Sequence, residues 1–311
     1  MKAIATAHAN IALIKYWGKR DDARLLPQAA SLSIALDRLL TTTSVDLGGA
    51  EDSLELDGKL ASADELFRAR ALLDAAGISE PARIESRNDF PTGAGLASSA
   101  SGFAALAVAA CAAAGQKRTP EELSALARLG SGSAARSVPG GWAVWENESA
   151  RQVFPPEYWD LRFCVAICAV GPKPVGSRDG MRGSRDTSPY HAAWIEQCRR
   201  DLPRALHLLS TRDLPGLGAL AERNALMMHA DALAADPPLL YWEPATVGCL
   251  QTAKSLRGDG VQAWATIDAG PHVVVMCAPA DAKQVETKLR EVSGVRDVLV
   301  CAPAGGAQVV P

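Results

Sequence analysis

One stretch constrains the fold more than any other: "FPTGAGLASSASGF" (residues 90–103) runs directly into the apolar segment "FAALAVAACAAA" (residues 103–114). Backbone amides at a helix N-terminus lack intrahelical partners, and small residues let an anion approach them closely. The junction therefore predicts a phosphate-binding loop at the start of a buried helix. A serine cap with a tight turn is the alternative that these residues leave open. A Walker A loop is excluded, because no lysine lies between Gly93 and Ser101.

Length and charge narrow the class of protein. A chain of 311 residues can form two lobes with their own cores. The net charge of −3, from 32 basic and 35 acidic residues, provides no basic field for nucleic acid or anionic lipid. We therefore expect neither nucleic acid nor membrane as a partner, and any anionic ligand must be bound by local groups.

Apolar patterning and cysteine usage predict a soluble, cytoplasmic protein. The first twenty residues lack the unbroken apolar core of a signal peptide, and the longest apolar run, residues 103–114, is too short to span a bilayer. The seven cysteines are scattered through apolar segments without a CxxC pair, which favours reduced core residues.

The periodicity of apolar residues predicts an α+β protein of two lobes. In the first half, strands are expected at residues 41–48, 53–58 and 82–90, and capped helices at 62–77 and 118–131. Ser62 and Asp64 are both candidate caps for the first of these helices. The polar, proline-containing stretch at 148–160 indicates a boundary near residue 155, which gives lobes of residues 1–155 and 156–311.

The second half starts with a buried strand at residues 161–170. Helical patterns then occupy roughly residues 188–210, 213–234 and 243–256, and a hairpin follows with its turn at Ala269-Gly270-Pro271. A capped helix at residues 280–294 and a final pair of strands are expected to close the chain.

Three polar clusters favour an anionic ligand. "NIALIKYWGKRD" brings Lys15, Tyr16 and Lys19 together, although such a cluster is often only a solvated face. "RLGSGSAARSVPGGW" is a second glycine-serine loop and contains Arg136, whose guanidinium can hold a carboxylate or phosphate by two parallel bonds; an ordinary interhelical turn is the alternative. "KPVGSRDGM" adds three polar or charged residues after the buried strand, namely Lys173, Ser177 and Arg178.

A further cluster is "TIDAGP", which places Asp268 at the end of an apolar strand. Such an aspartate is often only a turn former, but in a cleft beside a substrate hydroxyl it can act as a general base. The five histidines have no zinc-type spacing, so we expect no protein-ligated transition metal.

Taken together and in this order, the motifs resemble those of the diphosphomevalonate decarboxylases. The matching segments are "ANIALIKYWGKRD", "LPQAASLSIALDR", "FPTGAGLASSASGFAAL", "RLGSGSAARSVPGGW", "SRDGM…DTSPY" and "TIDAGP". The resemblance spans nearly the whole chain and implies a two-lobed GHMP kinase-like fold with the active-site cleft between the lobes. It also implies ATP-dependent conversion of mevalonate 5-diphosphate to isopentenyl diphosphate with release of ADP, phosphate and CO2, in a homodimer that uses ATP and Mg²⁺.

The resemblance assigns roles to individual residues. Asp268 would deprotonate the 3-hydroxyl of the substrate, with Lys15 or Lys19 beside it, and Arg136 would hold the carboxylate. The other substrate-binding residues would be Tyr16, Trp17, Gly18, Lys19, Arg68, Ser131, Gly132, Ser133, Ala134, Ala135, Ser177 and Arg178. The nucleotide would be held by Ser86, Asn88, Gly93, Ala94, Gly95, Leu96, Ala97, Ser98 and Ser99, and Ser99 would also reach the metal ion.

The chain departs from the family pattern at two places. Where relatives read Pro-x-Asn-(Ser/Asn)-Ser, this chain reads Pro27-Gln28-Ala29-Ala30-Ser31, and His272 replaces the asparagine of DAGPN. These changes leave open a preference for mevalonate 5-phosphate, as in the related phosphomevalonate decarboxylases. Asp268 with Lys19 argues against the mevalonate 3-kinases, and the intact motifs disfavour a non-catalytic nucleotide sensor.

Overall fold

The computed structural model describes residues 1–90, 98–171 and 173–310. Within these ranges the strands are β1 (Lys2–Ile14), β2 (Lys19–Asp21), β3 (Leu26–Pro27), β4 (Ser31–Leu47), β5 (Ser53–Leu56), β6 (Lys59–Leu60), β7 (Ala82–Asn88), β8 (Trp142–Trp145), β9 (Ala150–Phe154), β10 (Arg162–Ile167), β11 (Trp264–Thr266), β12 (Val273–Cys277), β13 (Asp297–Cys301) and β14 (Gln308–Val309). The helices are α1 (Ala63–Ala75), α2 (Ser98–Ala113), α3 (Pro120–Gly130), α4 (Ala134–Ser137), α5 (Ser177–Thr187), α6 (His191–Ser210), α7 (Leu214–Leu233), α8 (Pro244–Gly258) and α9 (Ala282–Arg290).

The first sheet is built around the long antiparallel pair of β1 and β4, in the order β14-β1-β4-β7-β5-β6. The first residues of β4 also pair with β8, which continues to β9. Helix α2 is apolar on almost every side, so it lies buried between the sheet and helices α1 and α3. This packing fixes the N-terminus of α2, where the predicted phosphate-binding loop ends.

The second sheet has the order β11-β12-β10-β13, and its strands are almost entirely buried. Helices α8 and α9 cover one face. On the other face, Phe163 and Met276 join one continuous core with Ile11 and Leu36 of the first sheet and Leu217 of α7. Because the two sheets share this core, β1 and the β11–β12 hairpin are held in a fixed relation at the cleft.

The structure confirms the α+β class and most of the predicted elements. Ser62, rather than Asp64, caps α1, since its hydroxyl accepts the Glu65 amide and the Glu65 side chain returns to Ser62. The hairpin of β11 and β12 is also confirmed. All seven cysteines are free and buried, as predicted. None of the helices in the described ranges is both long and apolar enough to cross a membrane.

The end of the chain differs from the sequence prediction. Strands β13 and β14 do not pair with each other: β13 extends the second sheet beside β10, and β14 returns to β1 in the first sheet. A bridge between Gly140 and Gly305 supports this return, and a Cβ at Gly140 would lie 2.1 Å from the Gly306 amide nitrogen. The predicted lobe of residues 156–311 therefore includes a tail that packs on the first sheet, and the boundary near residue 155 stays a prediction.

Candidate active site

A cleft of about 610 Å³ lies between the two lobes. The loop after β1, the starts of α2 and α5, the short helix α4 and the β11–β12 turn contribute to its walls. Many of the predicted site residues line it, namely Lys15, Tyr16, Trp17, Lys19, Arg68, Ser98, Ser99, Ser131, Gly132, Ser133, Arg136, Ser177, Arg178 and Asp268. Residues that are far apart in sequence are thus brought to one cavity.

The floor of the cleft contains an ion pair between Lys15 and Asp268. Lys15 Nζ lies 2.6 Å from Asp268 Oδ1 and also donates to the Ala12 carbonyl at 2.7 Å. The lysine side chain is 1% exposed, whereas that of Asp268 is 24% exposed. Burial lowers the pKa of Lys15, although the charge of Asp268 opposes this effect. Of the two lysines proposed from sequence, Lys15 is therefore the one beside Asp268.

Two polar residues of α7 support this pair, and neither stands out in the sequence motifs. Asn224 Oδ1 accepts the Lys15 backbone amide at 2.9 Å, and His229 Nε2 lies 3.2 Å from the Asp268 carbonyl oxygen. Burial, with a smaller contribution from Lys15, lowers the pKa of His229 to about 4, so the ring is neutral at pH 7. Their only signal in the sequence is that polar side chains interrupt the buried face of an apolar helix.

Arg136 lies in the cleft wall and is almost completely buried. Its Nε donates to Asn10 Oδ1 at 3.1 Å and its Nη1 to Ser31 Oγ at 2.7 Å, while the guanidinium carbon lies 5.9 Å from the Trp145 ring centroid. Burial lowers the pKa of Arg136 to about 10, which leaves it cationic at neutral pH. No carboxylate of the described residues forms a salt bridge with it, so this fixed positive charge is suited to an anionic ligand.

The second glycine-serine loop reaches the cleft only in part. Ser131, Gly132 and Ser133 line it, and a Cβ on Gly132 would lie 2.7 Å from the Tyr16 hydroxyl oxygen. The structure does not bring Ala134 and Ala135 to the cleft: their side chains are fully buried in neighbouring hydrophobic cores. Successive side chains of α4 face different neighbours, and the contact of Ala134 and Ala135 with substrate stays a prediction.

Three further cations line the cleft beyond the Lys15–Asp268 pair and Arg136, and we call Lys19, Arg68 and Arg178 the rim cations. Lys19 Nζ is 3.2 Å from Asp22 Oδ1, and Arg68 Nε is 3.0 Å from Asp64 Oδ2. Arg178 makes a long contact, 3.4 Å, with the Gly130 carbonyl. Burial is the main cause that lowers the pKa of both Lys19 and Arg68. Their partners Asp22 and Asp64 are substantially exposed.

Lys173, which the sequence analysis named in a polar cluster without assigning it a role, also lines the cleft. Lys173 Nζ donates to Ser177 Oγ and to the Ala269 carbonyl, both at 2.6 Å. Burial lowers its pKa to about 8, although Asp268 acts in the opposite direction. The charge of Lys173 therefore changes close to neutral pH.

A smaller cavity of about 150 Å³ adjoins the cleft. Arg68, Ser98 and Ser99 line both cavities, and Ser86 and Asn88 line the smaller one, together with apolar side chains that include Phe103. Serine hydroxyls beside an apolar pocket fit a nucleotide whose phosphates extend toward the cleft. The predicted nucleotide residues Gly93, Ala94, Gly95, Leu96 and Ala97 lie outside the described residues.

The donor set is compatible with Mg²⁺ bound mainly through a nucleotide. Within the part of the chain that the structure describes, no group of three or more acidic, histidine or cysteine side chains could hold a metal ion. Ser99, the predicted metal contact, has its Oγ 3.3 Å from Ser131 Oγ at the start of α2. Mg²⁺ commonly takes its ligands from phosphates and water plus one or two protein oxygens.

The departures from the family pattern lie behind the cleft surface. His272 is buried, and its Nδ1 accepts the Cys168 amide at 3.0 Å. Ala29 packs against a cluster that includes Trp17 and Trp194. Gly18 also faces away from the cleft, because a Cβ there would lie 2.9 Å from Gln28 Oε1.

Two protein-family models match this chain, one over each half of the sequence. Residues 7–153 match the diphosphomevalonate decarboxylase-like N-terminal domain, and residues 163–301 match the mevalonate 5-diphosphate decarboxylase C-terminal domain. The diphosphomevalonate decarboxylase of Candida albicans is 34% identical over 311 residues, which cover 91% of this chain and 86% of that protein.

Solved structures agree with the fold. The mevalonate diphosphate decarboxylase of Staphylococcus aureus is 34% identical, with a TM-score of 0.93 over 100% of this chain and 98% of that one. A structure of MDDEF in complex with MVAPP, AMPPCP and magnesium is 35% identical, with a TM-score of 0.92 over 100% and 99% of the two chains. These likenesses confirm the predicted GHMP kinase-like fold.

Proposed function

The chain belongs to the diphosphomevalonate decarboxylase family, and we propose that its cleft carries out the family's reaction with Asp268 as the base. The reaction is the ATP-dependent decarboxylation of mevalonate 5-diphosphate, which yields isopentenyl diphosphate, ADP, phosphate and CO2. One observation carries the proposal: Asp268 forms an ion pair with Lys15 and is partly exposed to the cleft. The same cleft is lined by Arg136, which is buried and forms no salt bridge with a carboxylate of the described residues.

The first step is phosphoryl transfer to the tertiary hydroxyl of the substrate. Asp268 accepts the hydroxyl proton as that oxygen attacks the γ-phosphorus of ATP, and the bond from phosphorus to the bridging oxygen of ADP breaks. Lys15 holds the carboxylate in place at 2.6 Å and compensates its charge. A neutral His229 behind the turn adds no competing charge at pH 7.

The second step is elimination with loss of CO2. Phosphorylation turns the hydroxyl oxygen into part of a good leaving group. The bond to the carboxylate carbon breaks, its electrons form the new carbon–carbon double bond, and the phosphate departs with the electrons of the carbon–oxygen bond. Arg136 orients the carboxylate, but binding that is equally strong in the ground and transition states does not raise turnover.

ATP and Mg²⁺ are the co-substrate and ion proposed for the smaller cavity and its junction with the cleft. Ser86, Asn88, Ser98 and Ser99 are the described residues proposed to hold the nucleotide, and Ser99 would also contact the ion. Mg²⁺ would offset negative charge on the phosphates during transfer. The bound AMPPCP and magnesium of MDDEF support this assignment.

The rim cations support a substrate with two phosphates. Lys19, Arg68 and Arg178 line the cleft, and a diphosphate offers them more acceptor oxygens than a monophosphate. Mevalonate 5-phosphate is the second candidate, because Ala29 and Ala30 replace polar residues of the family pattern.

We also propose that the protein is a homodimer and lies in the cytoplasm. Light scattering on the purified protein would measure the number of subunits.

The test is an assay of purified enzyme for ATP-dependent CO2 release, with mevalonate 5-diphosphate and mevalonate 5-phosphate side by side, each with and without Mg²⁺. We expect CO2 and ADP in equal amounts, dependence on Mg²⁺, and a higher kcat/KM for the diphosphate. A higher kcat/KM for the monophosphate would favour the second candidate. ADP without CO2 would contradict the proposed reaction.

A further inference from the structure

A buried histidine–aspartate pair lies behind the cleft, outside the residues that line it. His191 begins α6, and its Nδ1 lies 2.9 Å from Asp231 Oδ2 of α7. Its Nε2 lies 3.0 Å from Gln28 Oε1, in the loop between β3 and β4. His191 and Asp231 are 5% and 0% exposed. Both ring nitrogens therefore lie within hydrogen-bond distance of a side-chain oxygen atom.

These side chains surround the backbone of Trp17 and Gly18. The backbone N–H of Gln28 donates to the Gly18 carbonyl at 3.0 Å, and the indole N–H of Trp194 donates to the Trp17 carbonyl at 2.9 Å. Gly18 has a φ of 141°, and a Cβ there would lie 3.1 Å from His191 Cε1. No larger residue fits at Gly18 without displacing the histidine or the glutamine.

Trp17 itself lines the cleft, and so do the residues on either side of the Trp17–Gly18 segment. Tyr16 precedes it and packs edge-on against Trp145, with ring centroids 4.6 Å apart. Lys19 follows it and is a rim cation. A displacement of Trp17 and Gly18 would therefore move a phosphate-binding cation on one side and a cleft wall on the other.

Packing alone does not require polar groups here. The surrounding cluster is apolar and aromatic and includes Trp17, Met181, Trp194 and Met228. Burying an ionisable pair is costly, and apolar residues of similar volume are often as stable or more so. A histidine can make directional hydrogen bonds, which an apolar residue cannot. Its ring contacts Asp231 of α7 on one side and Gln28 on the other, and so links these two elements beside the Gly18 backbone.

We propose that His191, supported by Asp231 and Gln28, is a positioning residue that fixes Trp17 and Gly18 and so directs Lys19 toward the phosphates of the substrate. This inference rests on the proposed function of the cleft. It assigns a role in substrate binding to residues that do not line the cleft among the described residues.

The test compares His191→Phe with the double variant His191→Phe/Asp231→Leu, which removes the buried acid together with its partner and so keeps a folded protein available. We expect the KM and the directly measured Kd for mevalonate 5-diphosphate to rise about 10-fold, the loss of roughly one well-placed interaction, while kcat and the KM for ATP stay within about twofold. The single variant Asp231→Asn retains His191 and an acceptor for its ring, so it should keep most of the wild-type affinity. Leu202→Ala, in the main core on the same helix, is the control for general destabilisation.

Unchanged KM and Kd in both folded His191 variants would overturn the positioning role. So would an equal rise for ATP and for the diphosphate, or the same rise in Leu202→Ala, because each indicates general loosening. If the wild type binds the diphosphate but forms no CO2, the proposed reaction fails, and the Kd values still decide the positioning role. If the wild type does not bind the diphosphate, both proposals fail.

Discussion

The floor of the cleft and its rim hold positive charge in different ways. On the floor, Lys15 and Arg136 are buried and bonded to fixed protein groups, and Lys15 also pairs with Asp268. On the rim, Lys19 and Arg68 pair with acids that are themselves exposed, and Arg178 has one long contact with a carbonyl.

The difference indicates two tasks. Groups that act on developing charge gain from being held in place before the substrate arrives. Groups that bind phosphates can exchange weak, solvated partners for stronger ones. Changes on the floor should therefore affect turnover, whereas changes on the rim should affect substrate affinity.

The largest effect is expected from Asp268→Asn. The variant keeps the shape of the side chain but loses its charge and its basic lone pair, so kcat should fall by about 10²–10⁴-fold, as is typical of a general base. Steady-state turnover and calorimetric binding of both ligands would measure this. A kcat within a few-fold of the wild type would leave Asp268 as a turn former.

Arg136→Lys should come next. Lysine keeps the charge but cannot donate to Asn10, Ser31 and a carboxylate in the planar geometry of the guanidinium. Loss of one charge-assisted hydrogen bond predicts a fall in kcat of about 10- to 100-fold. Arg128→Lys is a matched control, because that arginine is equally buried but pairs with Glu148 rather than lining the cleft. Equal losses in both variants would indicate a structural effect.

A rim variant, Arg178→Ala, should act on affinity. We expect KM for the diphosphate to rise about 10-fold with kcat within about threefold, and the difference from the wild type to shrink at high salt. Arg199→Ala on α6 is the control, since its side chain is largely exposed, pairs with Glu196 and does not line the cleft. A loss confined to kcat would contradict the division between floor and rim.

The smallest effect concerns pH. Lys173 is cationic below its pKa of about 8, so its charge is lost as the pH rises through that value. The kcat/KM of the wild type should therefore decline on the alkaline side, by less than about tenfold. Lys173→Arg stays charged there and should move the decline to higher pH. Identical pH profiles for the two proteins would exclude Lys173 as the group responsible.

Local patterns predicted much of this molecule because helix caps, alternation and turn residues act within a few positions. The capped helices α1 and α3 and the β11–β12 hairpin are examples. The motif resemblance also supplied Asp268 and Arg136 as candidates. The structure places both at the cleft, while their catalytic roles stay predictions.

Sequence could not reveal contacts made across the fold. Lys15 and Lys19 are equally plausible from spacing, and only a contact with a residue 253 positions away distinguishes them. Asn224, His229 and the His191–Asp231 pair escaped notice for the same reason, since their partners come from other elements. The pairing of β14 with β1 likewise depends on where the chain end meets the first sheet.

The central claim is that Asp268 serves the phosphoryl-transfer step. The most direct measurement is a single-turnover experiment in which wild type and Asp268→Asn, both saturated with ATP and mevalonate 5-diphosphate, are quenched at intervals and assayed for ADP and CO2. The account predicts that both products of the variant form slowly and in parallel, because the base is needed before ADP can form. A rapid burst of ADP at the wild-type rate, followed by slow CO2 release, would contradict it.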